Sequence, residues 1–215
     1  MVREKDHCVG RLRTQMLEIE EISFIYSQQA ERLFDKLSFK IESGESVGLK
    51  GASGSGKSSL CRILAGHLKP HKGSIRLNGK DITGNPSRSI ILIPQEDDLY
   101  PWLKGVDQVI IAQARRSHKE ALKLLSLFKI SQVAHLYPVQ LSGGMKKRLA
   151  LARAFAAQPA VMILDESLSS LDTELKYALF KDLKSIWAQT STTLILASHF
   201  QPDLEIFTNR VIELE

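Results

Sequence analysis

Apolar and polar residues alternate along "MLEIEEISFIY" in two offset registers, Leu17/Ile19 and then Ile22/Phe24/Tyr26. The period of two predicts a strand, and the change of register predicts a bulge or slip inside it. A second extended run, "LSFKIESGESVGLKG", turns at Ser43-Gly44 and leads into a buried strand at Val47–Leu49. A helix is predicted to open at Gly56 and continue through "KSSLCRILAGHL". "GSIRLNGKDI" reads as a hairpin, because Asn78-Gly79 suits the left-handed angles of a two-residue turn. "SIILIPQ", "AVMILDE" and "TTLILASH" are unbroken apolar runs of strand length, the last two separated by a helical stretch over Thr173–Gln189. The section from Val106 to Gln158 is predicted mostly helical, with a break at Tyr137-Pro138. Strands alternating with helices point to a parallel α/β sheet.

Composition changes this picture little. The chain has 215 residues, 43% hydrophobic and 25% charged, enough to bury a core without disulfide staples. Its longest apolar runs, around Val161–Leu164 and Thr193–Ala197, fall far short of a membrane span. Cys8 and Cys61 do not make a disulfide framework and suit a reducing cytosol. The net charge of +5 reads as a solvated surface, so no nucleic-acid partner is expected. Residues 1–15 are charged, lack periodicity and lack the apolar stretch of a secretory signal; they are expected to be a flexible extension, with Met16 as the natural start.

The strongest chemistry lies at "GASGSGKSS", which fits G-x-x-x-x-G-K-[ST] between a predicted strand and a predicted helix. Gly51, Ala52, Ser53, Gly54, Ser55 and Gly56 would curl their amides around phosphate oxygens. Lys57 would place a point charge on the β/γ oxygens, and the Ser58 hydroxyl, beside Ser59, would ligate Mg²⁺. Ligands of open α/β sheets gather beyond the carboxyl ends of the strands. Three other apolar runs end there in polar residues: Asp165-Glu166, Gln95 and Ser198-His199. Asp165 is placed to support Mg²⁺ and Glu166 to polarise an attacking water. Gln95 alone could be a loop glutamine. His199 could be a structural histidine or a donor to the γ-phosphate. His7, His67, His71, His118 and His135 show no partner pattern and read as surface residues, and Cys61 as a small buried one. The guanine signature of small GTPases is absent, which favours adenine.

"QLSGGMKKRL" supplies a second helix start with a Ser cap and bare amides, at Ser142, Gly143 and Gly144. In the helix that follows, Leu149, Ala152 and Ala156 are predicted to face inward and Lys146, Lys147 and Arg148 to be mostly solvated. Taken with the cradle, Gln95, "VMILDE", Leu171-Asp172 and His199, "LSGGM" makes residues 16–215 resemble the nucleotide-binding subunit of an ABC transporter. The resemblance implies a P-loop NTPase (RecA-like) core of α/β class, with an N-terminal antiparallel β subdomain and a helical subdomain inserted at about 97–150. It implies binding of ATP with Mg²⁺, and hydrolysis by Glu166, His199, Gln95 and Lys57. Two such subunits would pack head to tail, so that Ser142, Gly143 and Gly144 of one cap the γ-phosphate held by the other.

By the same resemblance Tyr26 would stack on adenine, a plain strand aromatic being the alternative. Asp172 would couple the two sites, and Gln95 would contact metal and water. Transmembrane permease subunits would be the partners, with a solute-binding protein acting indirectly, at the cytoplasmic face of the membrane. The Pro101-Trp102-Leu103 loop together with "LSGGM" resembles the nitrate/sulfonate/taurine importer branch, Trp102 as a simple anchor being the alternative. Ser167-Leu168, Phe200, Ser59 and Gln108 depart from the family pattern and leave the solute open. A cassette serving cell division or lipoprotein export is the alternative reading.

Overall fold

The structure, a computed structural model, describes residues 4–5, 15–26, 32–96, 98–166, 173–187, 190 and 192–214. Strand β1 is Glu4–Lys5, β2 is Gln15–Phe24 and β3 is Phe34–Glu42. Strand β2 carries the two offset registers. Its antiparallel pairing with β3 shifts between Ile19 and Ile22, and Glu21 takes a left-handed conformation at φ 48. That bulge turns Leu17, Ile19, Ile22 and Phe24 to one buried side despite their uneven spacing. Strands β4 (Ser46–Lys50), β5 (Lys72–Leu77) and β6 (Lys80–Asp81) follow. The β5–β6 hairpin turns on Asn78 and Gly79, both with positive φ as its two-residue loop requires. The first sheet is antiparallel, in the order β3-β2-β5-β6.

The second sheet runs β1-β10-β4-β9-β8-β7, with β7 at Ile90–Ile93, β8 at Val161–Asp165, β9 at Thr193–Ala197 and β10 at Arg210–Glu213. Strands β10, β4, β9 and β8 are parallel neighbours, and β1 joins β10 antiparallel at the edge. Every residue of β8 and β9 is buried, which is why these two read as continuous apolar runs. Strand β10 and helix α6 (Gln201–Phe207) carry no such run and are not predicted from the sequence.

Helix α1 (Lys57–Leu64) stops a turn earlier than predicted. His67 N–H bonds to Arg62 O and Gly66 N–H to Ile63 O, a closing motif that needs Gly66 at φ 77. A side chain there would also strike the Asn85 backbone, 2.6 Å from an added Cβ. Leu60, Ile63 and Leu64 of α1 share one apolar core with Leu17, Ile19 and Ile41 of the antiparallel sheet and Val47, Ile163 and Ile195 of the parallel one.

The described residues fall into two units. One comprises those up to Leu92, Ala160–Glu166 and Thr190 onward. The other comprises Ile93–Pro159 and helix α5 (Thr173–Trp187). In the second unit the Val106–Gln158 section is more broken than predicted. It forms α2 (Gly105–Ala112), α3 (His118–Leu127), two single 3₁₀ turns and α4 (Gly143–Ala156). Leu149, Ala152 and Ala156 face inward as expected. Lys147 and Arg148 do not lie in solvent as predicted. Lys147 is 3% exposed, and the Arg148 side chain donates to Phe128 O at 3.2 Å and to Asp182 at 3.0 Å. Long basic side chains can bury their stems when a carbonyl or carboxylate meets the head, and residue type alone does not reveal that partner.

Asp182 on α5 also accepts from Lys129 at 2.6 Å, so one carboxylate joins α4, α5 and the end of α3. Burial pushes its carboxyl up, but the bonds from Lys129 and Arg148 outweigh that and hold it below the ordinary aspartate range. A depressed folded-state value contributes stability above the unfolded value, and that contribution is lost as pH falls through the folded value. Asp182→Ala is therefore expected to cost about 1–3 kcal/mol at pH 7. Urea unfolding should show the gap to wild type narrowing as pH is lowered below about 4; a gap independent of pH would contradict the assignment.

Candidate phosphate-binding site

The loop between β4 and α1 takes a path open mainly to glycine, with φ 86 at Gly54 and φ 90 at Gly56. Gly56 caps α1 without any side-chain bond to its amides, so the first-turn N–H groups and the positive end of the helix dipole are left for an external anion. Lys57 is 5% exposed and folds back along the loop, its Nζ donating to Gly51 O at 2.8 Å and Ala52 O at 2.9 Å. Ser55 Oγ is buried and has no hydrogen-bond partner among the described residues. Free amides, a cation and an unpaired buried hydroxyl on one loop are what a phosphate chain would satisfy.

At the end of β8, Asp165 Oδ1 accepts from the Ser58 hydroxyl at 2.9 Å. Burial is the main influence on Asp165 and pushes its carboxyl up; the Ser58 bond opposes this and the Glu166 charge adds to it. Glu166 leaves the strand at φ 47, a left-handed conformation uncommon outside glycine, and its N–H bonds to Ala197 O at 3.1 Å. His199 Nδ1 lies 3.3 Å from Glu166 Oε1. A pocket of about 300 Å³ is lined by Tyr26, Leu33, Ser53, Gly54, Gly56, Lys57, Ser58, Ser59 and Glu166. The fold thus gathers the loop after β4, the start of α1, the residue that follows β8 and the segment between β2 and β3 around one space.

Among the described residues no group of three His, Cys, Asp or Glu side chains could hold a metal. Ser58 and Asp165 nonetheless pair two hard oxygens, the donor type that suits Mg²⁺ when phosphate and water complete its shell. Tyr26 packs edge-on against Phe24, with ring centroids 4.9 Å apart, and its hydroxyl hydrogen-bonds Ser59 Oγ at 2.8 Å. That bond spans 33 residues and has no sequence signal. Cys61 is buried as expected, and burial lifts its thiol well above the ordinary range.

Gln95 and Ser142, Gly143 and Gly144 belong to the other unit. Ser142 caps α4, its hydroxyl accepting from Met145 N–H at 3.4 Å. Among the described residues, a Cβ added at Gly143 would meet nothing within 4 Å, so the chain is open at that residue. Gln95 is exposed, and its carbonyl accepts from Lys147 Nζ at 2.6 Å. Gln108, noted in the sequence only as a departure, is fully buried and holds the preceding loop: its Nε2 donates to Tyr100 O at 2.6 Å and its Oε1 accepts from Tyr100 N–H at 3.2 Å. Trp102 is 69% exposed. Asp172 lies outside the described residues. No described helix is long and apolar enough to cross a membrane.

Residues 34–169 match the ABC transporter family. The chain is 36% identical to the sulfate/thiosulfate import ATP-binding protein CysA of Vibrio cholerae, over 82% of this chain and 50% of that protein. It is 32% identical to the taurine import ATP-binding protein TauB of Sinorhizobium fredii, over 92% of this chain and 78% of the other. The chain thus spans about half the length of the first relative and most of the second. Among solved structures it resembles the ATP-binding cassette MJ0796, a dimer in a post-hydrolysis state bound to ADP and Pi. The TM-score is 0.81 at 26% identity, covering 93% of this chain and 94% of that one. The chain belongs to the ABC transporter family and has the ABC ATPase fold. Its likeness to the taurine protein agrees with the importer branch that the sequence resembles.

A carboxylate pushed up by burial costs stability at every pH above its unfolded value, since only the folded state strands the charge. Asp165→Asn keeps an oxygen for the Ser58 hydroxyl and removes the charge. Without nucleotide its Tm should rise by about 2–4 °C at pH 7. Calorimetry checks this, and a lower Tm would show that the charge is already compensated.

Proposed function

We propose that this chain is the ATP-binding and ATP-hydrolysing subunit of an ABC importer, working as a pair with a second copy and docked on a transmembrane permease at the cytoplasmic face of the membrane. One observation carries the reading: the Ser58–Asp165 hydrogen bond brings the uncapped helix start, Lys57 and Glu166 to a single pocket. The solute is proposed to be of the nitrate, sulfonate or taurine type, delivered by a solute-binding protein. The Pro101-Trp102-Leu103 loop and the similarity to the taurine protein support that class.

In this mechanism the amides of the cradle and the α1 N-terminus bind the phosphates, and Lys57 leaves the Gly51 and Ala52 carbonyls to meet the β/γ oxygens. Tyr26 offers its ring to the adenine. Ser58 and Asp165 would hold Mg²⁺, which supplies charge neutralisation at the phosphates. Glu166 takes a proton from the attacking water, and His199, within reach of Glu166, orients it and donates to the γ-phosphate. Ser142, Gly143 and Gly144 of the second copy close over the γ-phosphate, so closure is a population shift toward the state that alone offers both helix starts. Asp172 and Gln95 take their coupling roles from the family resemblance.

Glu166→Gln should lower turnover about 10²–10³-fold and leave ATP affinity unchanged. It should also accumulate an ATP-dependent dimer in light-scattering sizing; a strict monomer at every concentration would sink the head-to-tail pair. Ser142→Arg should abolish hydrolysis while the monomer binds ATP normally in titration calorimetry. Loss of that affinity would assign Ser142 to the site of its own chain.

A further inference from the structure

Lys147 is a lysine with 3% of its surface exposed, on the helix whose N-terminus presents Ser142, Gly143 and Gly144. A buried ammonium is costly unless its protons are accepted, and here the Gln95 carbonyl accepts at 2.6 Å, a short charge-assisted bond. Six residues further along α4, Arg153 reaches the same loop. Its Nη2 donates to Asp98 at 3.0 Å, and its guanidinium lies 5.0 Å from the Tyr100 ring centroid. The Arg153 side chain is only 15% exposed. Gln108 of α2 then fixes Tyr100 and Leu103 by their backbones. The loop after β7 is therefore held at Gln95, Asp98, Tyr100 and Leu103, with side chains of α4 reaching the first three.

We propose that Lys147 is a positioning residue that makes the Gln95 loop and the Ser142-Gly143-Gly144 helix start one mechanical body, with Arg153 as a second fastening. The inference rests on the function proposed above, in which Gln95 serves the nucleotide of its own chain and Ser142 that of the partner. Releasing the loop from α4 would break this short charge-assisted bond at a side chain that is 3% exposed, so the loop and the helix move together. Each chain would then couple its own site to its neighbour's through a side-chain bond, in addition to the continuity of the backbone. Lys147 touches neither nucleotide in this scheme; it acts through Gln95.

The test is a double-mutant cycle on ATPase rates with Lys147→Met, Gln95→Ala and the pair. Methionine fills the same buried space without the donor. Lys147→Met should lower kcat about tenfold with KM for ATP changed less than about twofold, and in the Gln95→Ala background it should change kcat less than about twofold. Lys146→Met, its neighbour on the helix, should match wild type. A merely structural lysine would depress both backgrounds alike, and that outcome, or an unchanged kcat, overturns the proposal. If Lys147→Met does not fold, Arg153→Gln carries the same cycle, with an expected drop of about two- to fivefold that vanishes in the Gln95→Ala background; no drop, or an equal drop in both backgrounds, overturns it. Absence of wild-type ATPase activity would instead defeat the underlying function, whereas an active wild type sensitive to Gln95→Ala but not to Lys147→Met defeats only the fastening.

Discussion

The Ser58 hydroxyl and the Asp165 carboxylate are 107 residues apart in the chain and 2.9 Å apart in the fold. This one contact joins the first turn of α1 to the carboxyl end of β8, and the chemistry of the site follows from it. It holds a carboxylate where burial penalises the charge, next to a helix start whose amides lack a cap. Each half is uncomfortable alone: free amides and a buried anion both seek partners. Set side by side, they suit a ligand that is polyanionic and brings a cation with it. Glu166 extends the arrangement because its left-handed turn, anchored on the Ala197 carbonyl, ends the strand at the pocket.

The second unit obeys a different constraint. Its helix α4 is joined to its surroundings by covered basic side chains as well as by apolar packing. Arg148 and Lys129 converge on Asp182, and Lys147 reaches the Gln95 carbonyl. Aromatic contacts from Phe155 to Phe128 and Trp187 fill the space between these anchors. A helix held this way resists tilting, because tilt would break charge-assisted bonds in poorly hydrated surroundings. Such stiffness suits the role proposed for this helix, whose N-terminus would meet a phosphate in a fixed direction.

Much of this could be read from residue order. The β2 bulge followed from two offset registers, the β5–β6 hairpin from Asn78-Gly79, and β8 and β9 from apolar runs too short to be helices. The cradle was legible because a glycine loop before a helix is a local motif, written in consecutive residues. Helix α6 and strand β10 were missed because β10 lies beside β4 with mixed burial and no clean period. The early stop of α1 was missed because the glycine that ends it also answers to Asn85, a neighbour brought close only by folding.

The sequence alone determined the parts: a loop that can wrap phosphate, a helix start with bare amides, and polar residues at the ends of apolar strands. Those features depend on backbone angles and short-range periodicity, which consecutive residues control. Tertiary structure decided the pairings: Ser58 with Asp165, Tyr26 with Ser59, Lys147 with the Gln95 carbonyl and Asp182 with two cations. Lys147 and Arg148 show the difference most plainly. As residue types they belong in water, yet Lys147 is buried and Arg148 largely covered because the fold brings an acceptor to each. Partner choice of this kind depends on distance in space, and no local pattern in the chain encodes it.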